Sequence, residues 1–370
     1  MSSTTGNIFK VTTWGESHGK TVGVVVDGVP SGIALDENIV QAFLDRRKPG
    51  ASAYATKRAE ADTVEICSGV FEGYTTGTPI EMHVTNNDQI SKNYDNLREV
   101  FRPSHADYGF FKKYGIRDHR GGGRSSGRET VGRVAAGAVA ATALARLGIK
   151  FLTYTKSIGT ISIPNLDYDE IARCLSENSN SLGIPHEDTY KSASAYLDNL
   201  MREKNSAGGV AECVVTGVKA GFGSPVFDKL DARLANAVFS IGAVKAVEIG
   251  NGIAAARGTG AENNDAFVSK GGEVSKKSNN SGGIIGGITD GTPVIIRAAF
   301  KPTPSIAAEQ DTVNKDGGNT TICIEGRHDP VIVPRALVVL ESMAAVVLLD
   351  EILVGLSSRI ENVKTIYNNY

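Results

Sequence analysis

The run from Arg117 to Thr130, RDHRGGGRSSGRET, packs four arginines, four glycines and two serines into fourteen positions, balanced by Asp118 and Glu129. Consecutive glycines expose backbone N–H groups, serines add hydroxyl donors, and a following helix would bring about half a positive charge to its N-terminus. Arginines placed there repel that end unless an anion is bound, so the stretch reads as a phosphate site. It is not a Walker loop, because G-x-x-x-x-G-K-[ST] is absent. KPTPS (Lys301 to Ser305) and DRRKPG (Asp45 to Gly50) are two further donor-rich basic turns. A basic surface for RNA is the alternative.

Two histidines and an aspartate could add acid–base chemistry. GESHG (Gly15 to Gly19) satisfies the G-x-S-x-G pattern, which would make Ser17 a nucleophile on a strand-to-helix elbow. IFKVTTW precedes it but TVGVVVDGV, another strand, follows, so the elbow is rejected. His18 is left in a glycine-flanked turn, either facing a cleft or on the surface. His105 follows FRPS; Ser104 or Asp107 could cap a helix there and put His105 at its positive end, the alternative being an exposed first-turn residue. Asp329 in GRHDP sits among Arg327, His328 and Pro330, where an ordinary ion-paired turn would also account for it. The residues alone lead to phosphorylated ligands, more than one, and to no particular reaction.

Bulk composition agrees with a small anionic ligand. A net charge of −2 over 370 residues gives no global field for nucleic acid or membrane, yet Arg102 to Arg133 holds eight Lys/Arg against three Asp/Glu. Hydrophobic content of 41% is that of a globular chain. Cys67, Cys174, Cys213 and Cys323 lack metal-type spacing, and the N-terminus lacks a signal-peptide pattern, so a reducing cytoplasm is expected. Pro334 to Gly355 is strongly apolar but carries Glu341 and Asp350, which predicts a buried helix and no membrane span.

The elements that must position these residues come in two sets. VVDGVPSG (Val25 to Gly32) is echoed by VVTGVKAG (Val214 to Gly221), and VEI occurs at Val64 and again at Val247. GVFEGYTTGTPIEMHV (Gly69 to Val84) matches GIIGGITDGTPVIIRA (Gly283 to Ala298), and FRPS (Phe101) matches FKPT (Phe300). Amphipathic helices are predicted over Asp36 to Arg47, with Ile39, Phe43 and Leu44 inward, and over Asp228 to Ser240, with Leu230, Leu234, Val238 and Phe239 inward. Each half closes with a basic turn and an apolar helix, Gly127–Leu147 and Pro334–Val354. The order predicts one α+β domain of two fused halves, about 8–148 and 208–356, with long helices buried between two antiparallel sheets. A polar helical insertion at about 165–204 is expected on the surface. The Gly/Asn/Ser/Lys-rich stretch 257–283 is expected to be a mobile loop, either disordered or a lid.

Three blocks, GESHGKTVGVVVDGVPSG, RGGGRSSGRETVGRVAAGAV and GRHDPVIVPRALVVLESMAAVVLL, resemble the signature segments of the chorismate synthase family, in order, from Phe9 to about Asp350. That resemblance implies a duplicated β-α-β sandwich, a homotetramer, and the anti-1,4-elimination of phosphate from 5-enolpyruvylshikimate 3-phosphate to give chorismate in the shikimate route. It implies reduced FMN, which lends an electron as phosphate departs and recovers it as the C6 hydrogen leaves, with NADPH serving indirectly to reduce the flavin. His18 would protonate the leaving phosphate, His105 would manage protonation beside the flavin ring, and Asp329 would accept the proton near flavin N5. Arg124, Ser125, Ser126, Ala243, Gly286, Lys301, Pro302, Thr303, Pro304, Ser305 and Arg327 would hold FMN. Arg47, Arg128 and Arg133 would serve the substrate or NADPH region. Ala53 and Gly242 depart from the family pattern, where arginine and asparagine are frequent. Without a long extra insertion the chain resembles members supplied by an external flavin reductase. The rival class is a non-catalytic phosphate- or RNA-binding protein on the same fold.

Overall fold

The computed structural model describes residues 3–48, 54, 62–86, 97–324 and 329–370. In its N-terminal part come β1 (Thr4–Thr5), β2 (Lys10–Gly15), β3 (Thr21–Asp27), α1 (Glu37–Arg47) and β4 (Val64–Ile66). A small hairpin, β5 (Val70–Phe71) with β6 (Tyr74–Thr75), leads to β7 (Ile80–Thr85), α2 (Asp107–Tyr114) and α3 (Thr130–Ala145). The C-terminal part has β8 (Lys150–Ile158), β9 (Ile161–Ser162), α4 (Tyr168–Glu177), α5 (Glu187–Arg202), β10 (Gly209–Thr216), α6 (Leu230–Phe239) and β11 (Val244–Ile249). It continues through α7 (Gly260–Asn263), β12 (Phe267–Lys270), β13 (Glu273–Lys276), β14 (Ile284–Ile285), β15 (Ile288–Thr289) and β16 (Val294–Phe300). Last come β17 (Glu309–Val313), β18 (Asn319–Cys323), α8 (Val333–Gly355) and α9 (Ile360–Tyr367).

Two antiparallel five-stranded sheets result, ordered β1-β2-β3-β7-β4 and β9-β8-β10-β16-β11. The runs β2-β3-β7-β4 and β8-β10-β16-β11 have the same connectivity. Alternation sets which face is covered: Val22, Val24 and Val26 of β3 and Ile80, Met82 and Val84 of β7 are buried. Against them lies α3, whose Ala, Gly and Val residues are buried nearly all round; α8 covers β8 and β10 in the same way. The layers are therefore sheet, helix, helix, sheet. At the helix–helix contact a Cβ on Gly137 would stand 2.1 Å from Ser342 Cβ, so only glycine permits this approach. Among the described residues no helix is long and apolar enough to cross a membrane.

The acids on α8 have specific work. Asp350, fully buried, accepts the N–H groups of Asn7, Ile8 and Phe9 at 2.8, 2.7 and 2.8 Å and the guanidinium of Arg233. Glu341 takes both terminal nitrogens of Arg46 on α1 at 2.8 and 2.6 Å.

Several local expectations need correction. On α1 the buried face is Val40, Leu44 and Arg47, with Ile39 and Phe43 only half-buried, because α3 and α8 both lean on that side. Phe239, at the end of α6, is 52% exposed; Ala237 takes the inward place expected for it. That helix starts at Leu230 because Lys229 is extended, with ψ 141°. The insertion at 165–204 is not wholly superficial, since Ala193 and Leu197 of α5 belong to the main core.

The stretch 257–283 is neither structureless nor part of the basic cleft described below. It forms α7 and the β12–β13 hairpin, anchored by Lys276, whose buried ammonium reaches Asp290 at 2.7 Å, Ser281 at 2.7 Å and Asp265 at 3.2 Å. Gly/Asn/Ser/Lys-rich composition suggested a mobile loop, but here one lysine is the internal counterion of two aspartates.

Candidate active site

Where the N-terminal ends of α3 and α8 meet the loops after β2, β7 and β16, a cleft of about 610 Å³ opens. Seven lysine or arginine residues line it against two carboxylates, Glu129 and Asp329, an imbalance suited to a multiply charged anion.

His18 lies in the β2–β3 turn, confirming that two strands flank Ser17 and that no nucleophile elbow exists. Its Nδ1 is 3.1 Å from Ser17 Oγ. The glycine run crosses directly over the ring: a Cβ on Gly121 would be 2.4 Å from His18 Nδ1, so this glycine is required by contact. His105 precedes α2, whose N-cap is Ala106 with no side-chain cap; neither Ser104 nor Asp107 plays that part. Instead Asp107 sits 2.8 Å from His105 Nδ1 and accepts Arg102 at 2.7 and 2.9 Å. Burial would raise the Asp107 carboxyl, but hydrogen bonds from Arg102 and His105 hold it far below the usual range. Two non-glycine residues of the cleft wall have left-handed backbone, Ser104 (φ 54°) and Ala243 (φ 72°), a strained geometry that the surrounding fold maintains.

The arginines of the opening run are less free than their sequence suggests. Arg124 donates to Gly15 O and Thr13 O, both at 3.0 Å, pinning the turn to the end of β2. Arg128 bonds Asn86 Oδ1 at 2.9 Å and pairs with buried Asp62, which Arg47 also holds at 2.5 Å. Arg133 reaches Glu129 and Ser240. Ser126 caps the 3-10 turn Gly127–Glu129 that leads into α3 by accepting the Arg128 N–H, and Ser125 Oγ donates to Gly122 O. Local repulsion at this helix start is thus offset partly by protein groups. Burial pushes Arg47 down to about 10, opposed by Asp62 and assisted by Arg335 and Arg128, so it stays charged at neutral pH. Burial would raise Asp62, but the charges of Arg47 and Arg128 keep it below the usual carboxylate range.

Asp329, 9% exposed, pairs with Arg335 Nη1 at 2.5 Å, so it is ion-paired and also faces the cleft. Of the expected site residues, His18, His105, Asp329, Arg47, Arg128 and Arg133 line this one cavity, as do Arg124, Ser125, Ser126, Ala243, Lys301, Thr303, Pro304 and Ser305. Pro302 and Gly286 do not line it; Gly286 is exposed in the β14–β15 turn. Arg327 and Ala53 lie outside the described residues. Sequence reasoning missed Arg102 and Arg335. The repeat holds a signal for both: Arg102 of FRPS corresponds to Lys301 of FKPT, and Arg335, like Arg133, stands in the first turn of a central helix.

Three buried polar atoms of the wall, Thr303 Oγ1, Arg47 Nε and His105 Nδ1, make no well-aligned hydrogen bond among the described residues, although His105 Nδ1 has Asp107 at 2.8 Å. Such atoms are costly unless a ligand or water satisfies them.

A chorismate synthase family profile matches residues 9–353. The chorismate synthase of Agathobacter rectalis is 58% identical over 99% of this chain and 98% of its own length. That of Methanococcoides burtonii is 50% identical over 95% and 96%. A crystal structure of chorismate synthase superposes with a TM-score of 0.77 at 33% identity, covering 99% of this chain and 98% of the other.

Proposed function

The chain belongs to the chorismate synthase family, and from that membership and the composition of the cleft we propose how it works as a lyase that eliminates phosphate from 5-enolpyruvylshikimate 3-phosphate to give chorismate. The observation that carries the reading is the meeting of His18, His105 and Asp329 in one cavity with seven cationic residues. A substrate bearing a phosphate and carboxylates needs such a surplus. Nothing in the cleft or among the relatives favours a non-catalytic phosphate- or RNA-binding role.

His18 donates a proton to the phosphate oxygen as charge develops there. Asp329, held by Arg335, would accept the proton that comes from C6 on the side where the flavin N5 would lie. His105, its Nδ1 turned to Asp107, keeps Nε2 to hold a proton beside the cofactor. Arg47, Arg128 and Arg133 bind the substrate anions or serve the NADPH region. The family's cofactor is a flavin, and reduced FMN fits this wall: Thr303 Oγ1 lacks a partner, and Lys301 is a cation beside it. Arg124, Ser125, Ser126, Ala243, Lys301 and Thr303 to Ser305 would hold it, with Arg327 as a further contact; Pro302 and Gly286, outside the cleft wall, are assigned no contact. When bound, reduced FMN supplies a transient electron with no net redox change.

We further propose a single domain of two fused copies, supported by the common strand order, working as a cytoplasmic homotetramer. Reduced FMN would come from an external NADPH-dependent reductase, the chain itself being monofunctional. An anaerobic assay with substrate and dithionite-reduced FMN tests this. Chorismate and phosphate should appear together, and none should form with oxidised FMN alone. Equal turnover with oxidised flavin would sink the reduced-flavin mechanism, and turnover with NADPH and FMN but no added reductase would sink the monofunctional assignment.

A further inference from the structure

Away from the cleft, the outer face of the first sheet carries a second group of chemistry-bearing residues. The inward alternation of Ile80, Met82 and Val84 turns Glu81 and His83 outward on β7. On neighbouring β4, Val64 faces in, so Glu65 faces out, directly opposite His83. Cys67 follows on the same face, its N–H donating to Glu81 O at 2.9 Å. The residue opposite His83 on β3 is Gly23, whose missing side chain leaves room for the Trp14 ring, 6.3 Å from the imidazole between centroids.

Both donor separations from His83 match edges of a metal tetrahedron, and the three donor atoms all lie within 4.8 Å of one another. Cys67 Sγ lies 3.7 Å from His83 Nδ1, and Glu81 Oε2 lies 3.3 Å from the same nitrogen. With Zn–S near 2.3 Å and Zn–N and Zn–O near 2.0–2.2 Å, tetrahedral edges are roughly 3.6 Å for S···N and roughly 3.4 Å for N···O. On the far side of the ring, Glu65 Oε2 is 3.7 Å from His83 Nε2. A carboxylate there favours a proton on Nε2 and leaves Nδ1 as the ligand atom, the usual outer support of a metal-bound histidine. No lysine or arginine among the described residues pairs with Glu65 or Glu81.

From this arrangement we infer that Cys67, His83 and Glu81 form a binding site for a thiophilic divalent cation of the zinc class, oriented by Glu65 and open to water at the fourth position. The ion joins β4 to β7 at the sheet edge and plays no part in the elimination.

Cobalt(II) is the probe, titrated into the full-length protein under a phosphine reductant. One equivalent should bind with a thiolate-to-cobalt absorption band in the near ultraviolet. Because Trp14 is the chain's one tryptophan, its fluorescence should fall in step. Zinc should reverse both signals and raise the unfolding midpoint. Cys67→Ser should abolish the band, His83→Gln should weaken binding at least tenfold, and Glu65→Gln should weaken it roughly 10–100-fold while keeping the band. Cys67 is exposed, so its variant should fold and retain parental elimination activity. Absence of a band in the parent protein overturns the site. A band and quench of parental size in Cys67→Ser would overturn it equally, because the metal would then sit on another thiol.

Discussion

Single side chains in the cleft hold the fold as well as carrying the proposed chemistry. Arg124 shows this directly: loss of its guanidinium removes bonds to Gly15 O and Thr13 O as well as the proposed flavin contact. Arg124→Ala should therefore weaken FMN binding by about 1–3 kcal/mol and also lower the unfolding midpoint. A flavin titration that matches the parent's would remove Arg124 from the site. His18 and Asp329 should separate in kinetics. His18→Ala loses assistance to the departing phosphate, roughly a 10²–10⁴-fold loss in single-turnover rate with pre-reduced FMN under argon. Asp329→Asn preserves shape beside Arg335 but cannot take a proton, so substrate deuterated at C6 should show a larger isotope effect than in the parent. A parental rate in either variant would strip that residue of its catalytic task. Asp329 is nearly buried, so Asp329→Ala would confound catalysis with loss of the Arg335 ion pair.

Among the elements, the hairpin after β11 is the clearest instance of order that composition hid. Lys276 bridges Asp265 and Asp290, and removing it leaves two carboxylates with only hydroxyl and amide partners. Lys276→Met should open residues 257–283 to limited proteolysis while the rest of the chain resists. The lid idea makes a different demand, protection by FMN plus substrate. Equal cleavage of Lys276→Met and parent would show that the ammonium does not anchor the segment. The helical elements were more legible. The apolar stretches of α3 and α8 announced buried helices, but their closest approach at Gly137 and Ser342 depended on which of many small residues met. Similarly, Asp36, expected within α1, instead caps it through the Ile39 N–H, and the inward face of α1 shifted toward Val40 because two helices press on it.

Across the whole molecule, buried carboxylates tie distant segments together, and this sets the response to acid. Asp107 and Asp62 are both held below the usual range, their burial outweighed by arginine and histidine partners. A depressed folded-state value means that the unfolded chain takes up protons first as pH falls. The stabilisation is complete above the unfolded value, about 4, and drains away below it. Denaturation midpoints should be level from pH 7 to 5 and fall below pH 4 in roughly that sense. Asp107→Asn should start lower at pH 7 and show a shallower acid decline; an unchanged slope would exclude Asp107 from the linked groups. As for assembly, light scattering at neutral pH should give the mass of four chains, and a monomer at working concentrations would overturn the tetramer.

Local pattern by itself determined the antiparallel hairpins, the buried helices, the repeat and the positive stretch, because each depends on side-chain period or type within a short window. Family motifs then singled out His18, His105 and Asp329, which the residues alone left beside ordinary surface alternatives. Only the tertiary structure decided that these three, more than 300 positions apart at the extremes, share one cavity. It also decided which arginines line the cleft and how far each is already held by Asp62, Asp107 or backbone carbonyls. Charge in a sequence records how many cations are present. Their partners are set by which carboxylates the packing of distant elements brings within about 3 Å.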